Sequence, residues 1–312
     1  MDKNKNILPL LGLILTMFLW GSSFIALKLA FRYYHPLAVI FGRMALASVC
    51  FLFLLPKFKG LYRKGDWKKL LLLAFFEPCL YFVFEAWALV NTTASQAGMI
   101  VAILPLMVAV AARFFLLEPL TVRTMFGLIL AIVGAIWLST GGTASEFSPR
   151  PLFGNFLEFV AMACATGYVI MIKRLSPRYP PSFLTAVQAF VGAAFFFPLM
   201  MLVGDGFPTT LEPQGAAAVF YLGTFVTIGA YGLFNYGIAR IPAGQASAFT
   251  NLIPVFAVIL GWLVLGENFS PAQYVASVLV LMGVIISQER TIKLKGRPPA
   301  FLIRLFSRKQ KP

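Results

Sequence analysis

Glu77, Tyr81 and Glu85 recur every four residues along one apolar run, so on a helix all three fall within about 80° of one face. Two carboxyl groups with a phenol between them suit two kinds of chemistry: holding a cationic group of a bound molecule, or relaying a proton. An ionisable group near the centre of a bilayer costs on the order of 2.5–3.5 kcal/mol even on the permissive insertion scale, so each needs a reason to be there. The alternative reason is structural. Arg43, in the preceding apolar run, lies at a depth similar to Glu85, and a buried Arg43–Glu85 ion pair would satisfy both charges. Arg43 is expected to serve in this way, as a structural ion pair.

Further candidates lie along the chain. Glu158 stands in the first turns of a later apolar run, where it either faces the interior or snorkels to the interface. Trp20, and Tyr231 with Asn235, are placed to wall a cavity for an amphipathic molecule, although aromatic residues are abundant here and packing explains any one of them equally well. Gln96 and Gln245 open two helices whose exposed N–H groups can receive an anionic group or simply start the helix. Pro105 and Pro254 are symmetric potential breaks, suited to hinges or gates. Near run ends, Arg113 reads as an interface anchor and Lys28 as an anchor or gate residue.

The elements that must position these residues follow from composition. Of 312 residues, 60% are hydrophobic and 12% charged, which excludes an ordinary soluble enzyme and a disordered scaffold. Apolar windows over 7–30, 36–56, 69–90, 95–117, 123–140, 152–172, 183–203, 215–238, 243–265 and 272–289 predict an all-α membrane protein of ten transmembrane helices. Apart from Arg32 and Arg150, and Lys28, Arg43 and Arg113 within spans, the 26 Lys and Arg residues fall in alternate connections and at the two ends. That asymmetry predicts cytoplasmic N- and C-termini in the cell inner membrane. It also reads the basic tail, 291–312, as an anchor on anionic lipid in place of a nucleic-acid site. Cys50, Cys79 and Cys164 lie within apolar runs and read as small buried hydrophobes.

The chain also repeats. A constant offset of 149 pairs Ala94 with Ala243, Gln96 with Gln245, Pro105 with Pro254, Glu118 with Glu267 and Gly134 with Gly283. Earlier in each half, Gly21 matches Gly167, Pro36 matches Pro181 and Arg43 matches Gln188. Halves of five spans enter the membrane in opposite directions, giving inverted repeats over 1–145 and 146–290. Trp20-Gly21-Ser22-Ser23-Phe24, the Pro36-to-Arg43 segment and the paired Ala-x-Gln-Ala, Pro and Glu positions resemble the EamA family of the drug/metabolite transporter superfamily, over about residues 8–288. The resemblance implies a carrier working by alternating access, with a cavity lined mainly by spans 1, 3, 4, 6, 8 and 9 and small metabolites, mostly amino acids, as cargo. Glu77 and Glu85 depart from the usual apolar, small-residue pattern of the third span.

No metal-ligand cluster, P-loop or Gly-rich phosphate loop appears, and His35 is the only histidine, so neither an enzyme, a cofactor nor a metal is expected. The expected partners are the lipid bilayer, a small-molecule substrate and a proton, and the chain is expected to act as a monomer or weak homodimer. The resulting expectation is a secondary transporter that exports amino acids or related amphipathic compounds. Rival readings are a non-transporting receptor or scaffold, a channel, and a carrier of nucleotide-sugar-like or acidic solutes.

Overall fold

In the computed structural model, residues 7–118, 120–141, 144–146, 148–240 and 249–287 are described. They are almost entirely helical: α1 Ile7–Phe31, α2 Pro36–Leu52, α3 Trp67–Asn91, α4 Ala94–Phe115, α5 Val122–Thr140, α6 Pro151–Leu175, α7 Pro181–Leu202, α8 Pro213–Ile238, α9 Phe249–Leu265 and α10 Pro271–Ser287. Seven of these, α1 and α3–α8, are long and apolar enough to cross a membrane, and α2, α9 and α10 are shorter apolar helices. The expected second span stops early, at Leu52, and a separate turn, Leu55–Phe58, follows. Pro56 explains this, because it has no N–H to give the Leu52 carbonyl four residues back and its ring crowds that turn. The opening of the expected ninth span, including Gln245, lies outside the described residues.

The helix starts are written in the sequence. Proline occupies the first position of α2, α6, α7, α8 and α10, where its missing N–H is not needed. Thr93 and Thr121 cap α4 and α5 by accepting from the N–H groups of Gln96 and Thr124 at 3.1 and 3.2 Å. Leu, Ile, Phe and Val cover the outer faces, with Ile129, Ile136, Trp262 and Val278 among those more than half exposed. Arg43, Glu77, Glu85 and Glu158 are buried. This inside-out distribution is that of a chain whose solvent is lipid.

The most extensive helix contacts are preserved under exchange of the two halves. Exchanging them sends α1 to α6, α2 to α7, α3 to α8, α4 to α9 and α5 to α10. The contacts α5–α10, α2–α7 and α4–α9 are then their own images, whereas α3–α6 maps onto α1–α8 and α1–α9 onto α4–α6. Helices approach through small residues, as expected where no hydrophobic force drives them together. A Cβ at Gly134 would sit 2.8 Å from the backbone N of Val280, and one at Gly283 would sit 2.6 Å from the carbonyl of Gly127. The symmetry reaches the backbone. Leu117 and Gly266, paired by the 149 offset, both end a helix in the left-handed region, at φ 59° and 68°. The next N–H in each half, of Glu118 and of Glu267, returns to the carbonyl six residues back, at 3.2 and 3.1 Å.

Outside the helices, Asp66 ties the α2–α3 connection to that between α6 and α7. It accepts from Lys69 Nζ at 2.7 Å, and from Arg178 Nη1 and Tyr179 Oη at 3.1 Å. These donors, Lys69 foremost, lower its pKa from 3.8 to about 2. A depressed carboxyl pKa stabilises the fold above the unfolded value and loses that contribution as pH falls through the folded one.

Two outcomes are expected from melting in detergent. Leu117→Gly removes a left-handed penalty of about 1–2 kcal/mol, less the extra flexibility of glycine, and so raises the melting temperature. The stability gap between wild type and Asp66→Asn is constant near neutrality and closes between pH 3.8 and about 2. It also narrows with salt, because Lys69 and Arg178 are 52% and 45% exposed.

Candidate central cavity

The site is built around a break in α3. Pro78 has no N–H to give the preceding turn, and the helix widens over Phe75–Leu80, with Glu77 extended at φ −151° and ψ 115°. The Glu77–Pro78 peptide bond is cis. The freed Glu77 carbonyl accepts from Gln188 Nε2 on α7 at 2.8 Å, and the Glu77 carboxyl accepts from the Tyr231 hydroxyl on α8. Two turns along, the Tyr81 hydroxyl donates to Glu85 Oε1 at 2.8 Å. α8 is widened as well, over Leu222–Ala230, and there Thr227 Oγ1 donates to the Leu222 carbonyl at 2.8 Å. The same oxygen accepts from Arg43 Nε at 3.1 Å.

Glu77, Tyr81 and Glu85 meet Arg43, Trp20 and Tyr231 around a buried cavity at the centre of the bundle. Its remaining wall is apolar and aromatic, including Phe24, Phe82, Tyr168 and Phe234. The edges of Trp20 and Tyr231 meet at 5.4 Å between ring centres, and Trp20 and Phe234 at 4.8 Å. The Trp20 indole N–H and Glu85 Oε2 are buried and have no protein partner. Helices α1, α3, α4, α6, α8 and α9 all contribute to the lining, as the family resemblance implies, and α2 adds Arg43.

Two expectations change, and one that was open is decided. Arg43 makes no ion pair within 4.0 Å among the described residues. Thr227 holds its Nε, its guanidinium lies 4.2 Å over the Phe82 ring, and each facing glutamate is taken by a tyrosine. Asn235 stands behind the cavity wall, its amide occupied by Tyr168 Oη at 2.7 Å and Thr185 Oγ1 at 2.9 Å. Glu158 is fully buried against α3 and does not snorkel outward.

Gln96 belongs to a buried polar cluster, in which its Oε1 accepts from Asn155 Nδ2 at 2.8 Å. The same Asn155 accepts from Thr92 at 2.7 Å and donates to Ser139 at 3.0 Å. Pro105 and Pro254 each follow a short tightened turn, Val101–Ile103 and Phe249–Asn251, so each breaks its helix at the corresponding place. Sequence reasoning missed Thr227 and Gln188 as working residues. The signal for Gln188 was its repeat match to Arg43.

Beyond this cavity, a crevice of about 610 Å³ opens where the ends of α1, α3 and α9 meet the start of α4. Gln96, Lys28 and Glu267 line it. The Glu267 carboxylate accepts from the N–H groups of Ala94 and Ser95, both at 2.8 Å, and so caps α4 from the other half of the chain.

The profile of the EamA-like transporter family matches twice, over residues 7–140 and 152–287. The chain belongs to the EamA-like transporter family. It is similar to an uncharacterized transporter of Bacillus subtilis, YetK, at 29% identity over 83% of this chain and 79% of that one. A probable terminal-alkyne amino-acid exporter of Streptantibioticus cattleyicolor is 25% identical over 90% of this chain and 93% of its own. A solved crystal structure shares the fold, with a TM-score of 0.66 at 19% identity over 90% of this chain and 97% of the other. The family is one of membrane transporters and not of enzymes.

Thr227→Val keeps the side-chain volume and leaves the buried Arg43 Nε without its acceptor. An expected loss of about 1–3 kcal/mol lowers the melting temperature in detergent, and Thr227→Ser, which keeps the hydroxyl, restores it.

Proposed function

We propose that this member of the EamA-like family is a secondary transporter that exports amino acids or related amphipathic compounds by alternating access. In this reading ten helices cross the cell inner membrane with both termini cytoplasmic. The segments 1–145 and 146–290 are inverted repeats, and the basic tail, 291–312, lies outside the described residues. The observation that carries the substrate class is that one buried cavity presents a guanidinium and a carboxyl that are not paired with each other. An amino acid brings both complements: its ammonium meets Glu77, and its carboxylate meets Arg43 and the unpartnered indole N–H of Trp20. Tyr231 holds the Glu77 carboxyl in place until the substrate arrives, and the aromatic wall receives its side chain. The name of the Streptantibioticus relative supports the same class.

Alternation is supported by the closure of the site: Arg43 and Glu77 are 1% and 4% exposed, so a substrate reaches them only when helices part. The tightened turns ahead of Pro105 and Pro254 supply hinges on α4 and α9. With no phosphate-binding loop in the sequence, gradients of substrate or ions drive the cycle.

The test is counterflow in proteoliposomes loaded with pooled amino acids. Wild type exchanges label saturably. Glu77→Gln removes a charge-assisted hydrogen bond worth about 1.5–3 kcal/mol and weakens half-saturation by roughly ten- to a hundredfold. Exchange unaffected by this substitution would make Glu77 structural, and no exchange for any amino acid would place the cargo in another class.

A further inference from the structure

The register between α3 and α6 is fixed at both ends by close approaches. A Cβ on Gly154 would lie 2.8 Å from the Ala88 carbonyl, and one on Gly167 would lie 2.7 Å from the Phe76 ring. Thr92 and Asn155 are joined by a hydrogen bond of 2.7 Å just beyond the first of these. Within such an antiparallel pair, stepping inward from Ala88–Gly154 brings Glu85 opposite Glu158. Both are buried, at 3% and 0% exposure.

Of their four carboxyl oxygens, only Glu85 Oε1 has a partner, the Tyr81 hydroxyl, and both oxygens of Glu158 are unpartnered. Among the described residues, neither carboxyl has a cation within 4.0 Å. The titratable groups around the pair are Tyr81 and Glu77 on α3 and Arg43 on α2, and Arg43 is held by Thr227 and Phe82. Two carboxylates facing each other in a low-dielectric interior cannot both stay ionised without a counter-charge between them. A proton is the smallest such charge and turns one acid into a donor for the other.

We infer that Glu85 and Glu158 form a carboxyl dyad that binds one proton, separate from the substrate site at Glu77 and Arg43, and couples its transfer to transport. This rests on the transport reading above. Location supports it. Glu85 lines the central cavity, and Leu89, one turn along α3, lines the outer crevice together with Gln96. Asn155, one turn from Glu158, is hydrogen-bonded to that same Gln96. The dyad therefore stands between the two spaces, with a polar chain leading from the crevice towards it.

Two measurements test the proposal. The first needs no substrate: purified protein is treated with dicyclohexylcarbodiimide, an apolar reagent that adds to a protonated carboxyl and not to a carboxylate, and adducts are mapped by mass spectrometry. Labelling of Glu85 or Glu158 near neutral pH, falling as pH rises, is expected. An absence of adducts on both across about pH 5 to 8 would overturn the dyad. The second measures counterflow and gradient-driven accumulation in proteoliposomes. Glu158→Gln is expected to keep counterflow within about threefold, which also shows that it folds, and to lose at least about tenfold of the accumulation driven by a pH gradient, about 1.4 kcal/mol of coupling. Accumulation equal to wild type, or a wild type indifferent to pH but driven by a sodium gradient, would overturn it. If no amino acid is exchanged at all, the substrate reading fails and carbodiimide labelling still decides the dyad.

Discussion

Pro78 cannot return an N–H to the carbonyl of Ala74, and in an apolar interior an abandoned backbone group costs several kcal/mol unless something else serves it. The rest of the site is arranged around that requirement. The helix widens over one turn, Glu77 becomes extended, and Gln188 on α7 takes up the Glu77 carbonyl. Gly192, one turn beyond Gln188, leaves room for the Pro78 ring, since a Cβ there would come within 2.7 Å of it. A regular α3 would have kept Glu77 in line with Tyr81 and Glu85. The break turns it instead towards Tyr231 on α8, so the two acids of α3 have different neighbours and are free to have different roles.

The symmetry of the molecule was legible from the sequence because the residues that carry it are the ones backbone geometry restricts most. Pro105 and Pro254 break helices, Gly134 and Gly283 let backbones touch, and both effects follow from residue type at a fixed offset. Leu117 and Gly266 show the limit of this reasoning. The same left-handed turn is present at both, yet only Gly266 announces it by its type.

The partners of the buried charges were much less legible. Depth along neighbouring spans brought Arg43 and Glu85 to one level, but depth says nothing about rotation. The rotation of α2 against α8 gives Arg43 to Thr227 and the face of Phe82. Asn235 was visible as a polar residue in an apolar run, and only the meeting of α6, α7 and α8 reveals that Tyr168 and Thr185 occupy its amide.

Keeping a guanidinium and several carboxyls apart in a dry interior is expensive compared with pairing them or replacing them with hydrophobic groups. That expense makes sense in a carrier, because a fully paired site has nothing left to offer a substrate. Tyrosines and a threonine hold the charges through hydroxyl hydrogen bonds, and an incoming group of opposite charge adds a Coulombic attraction that a hydroxyl lacks. In the proposed reading the same logic separates cargo from coupling. Glu77 and Arg43 suit a molecule with both signs of charge, whereas the register of α3 against α6 puts Glu85 level with Glu158, and among the described residues neither has a cation within 4.0 Å. One break in α3 and one antiparallel register between α3 and α6 therefore give a single helix two acids with distinct surroundings.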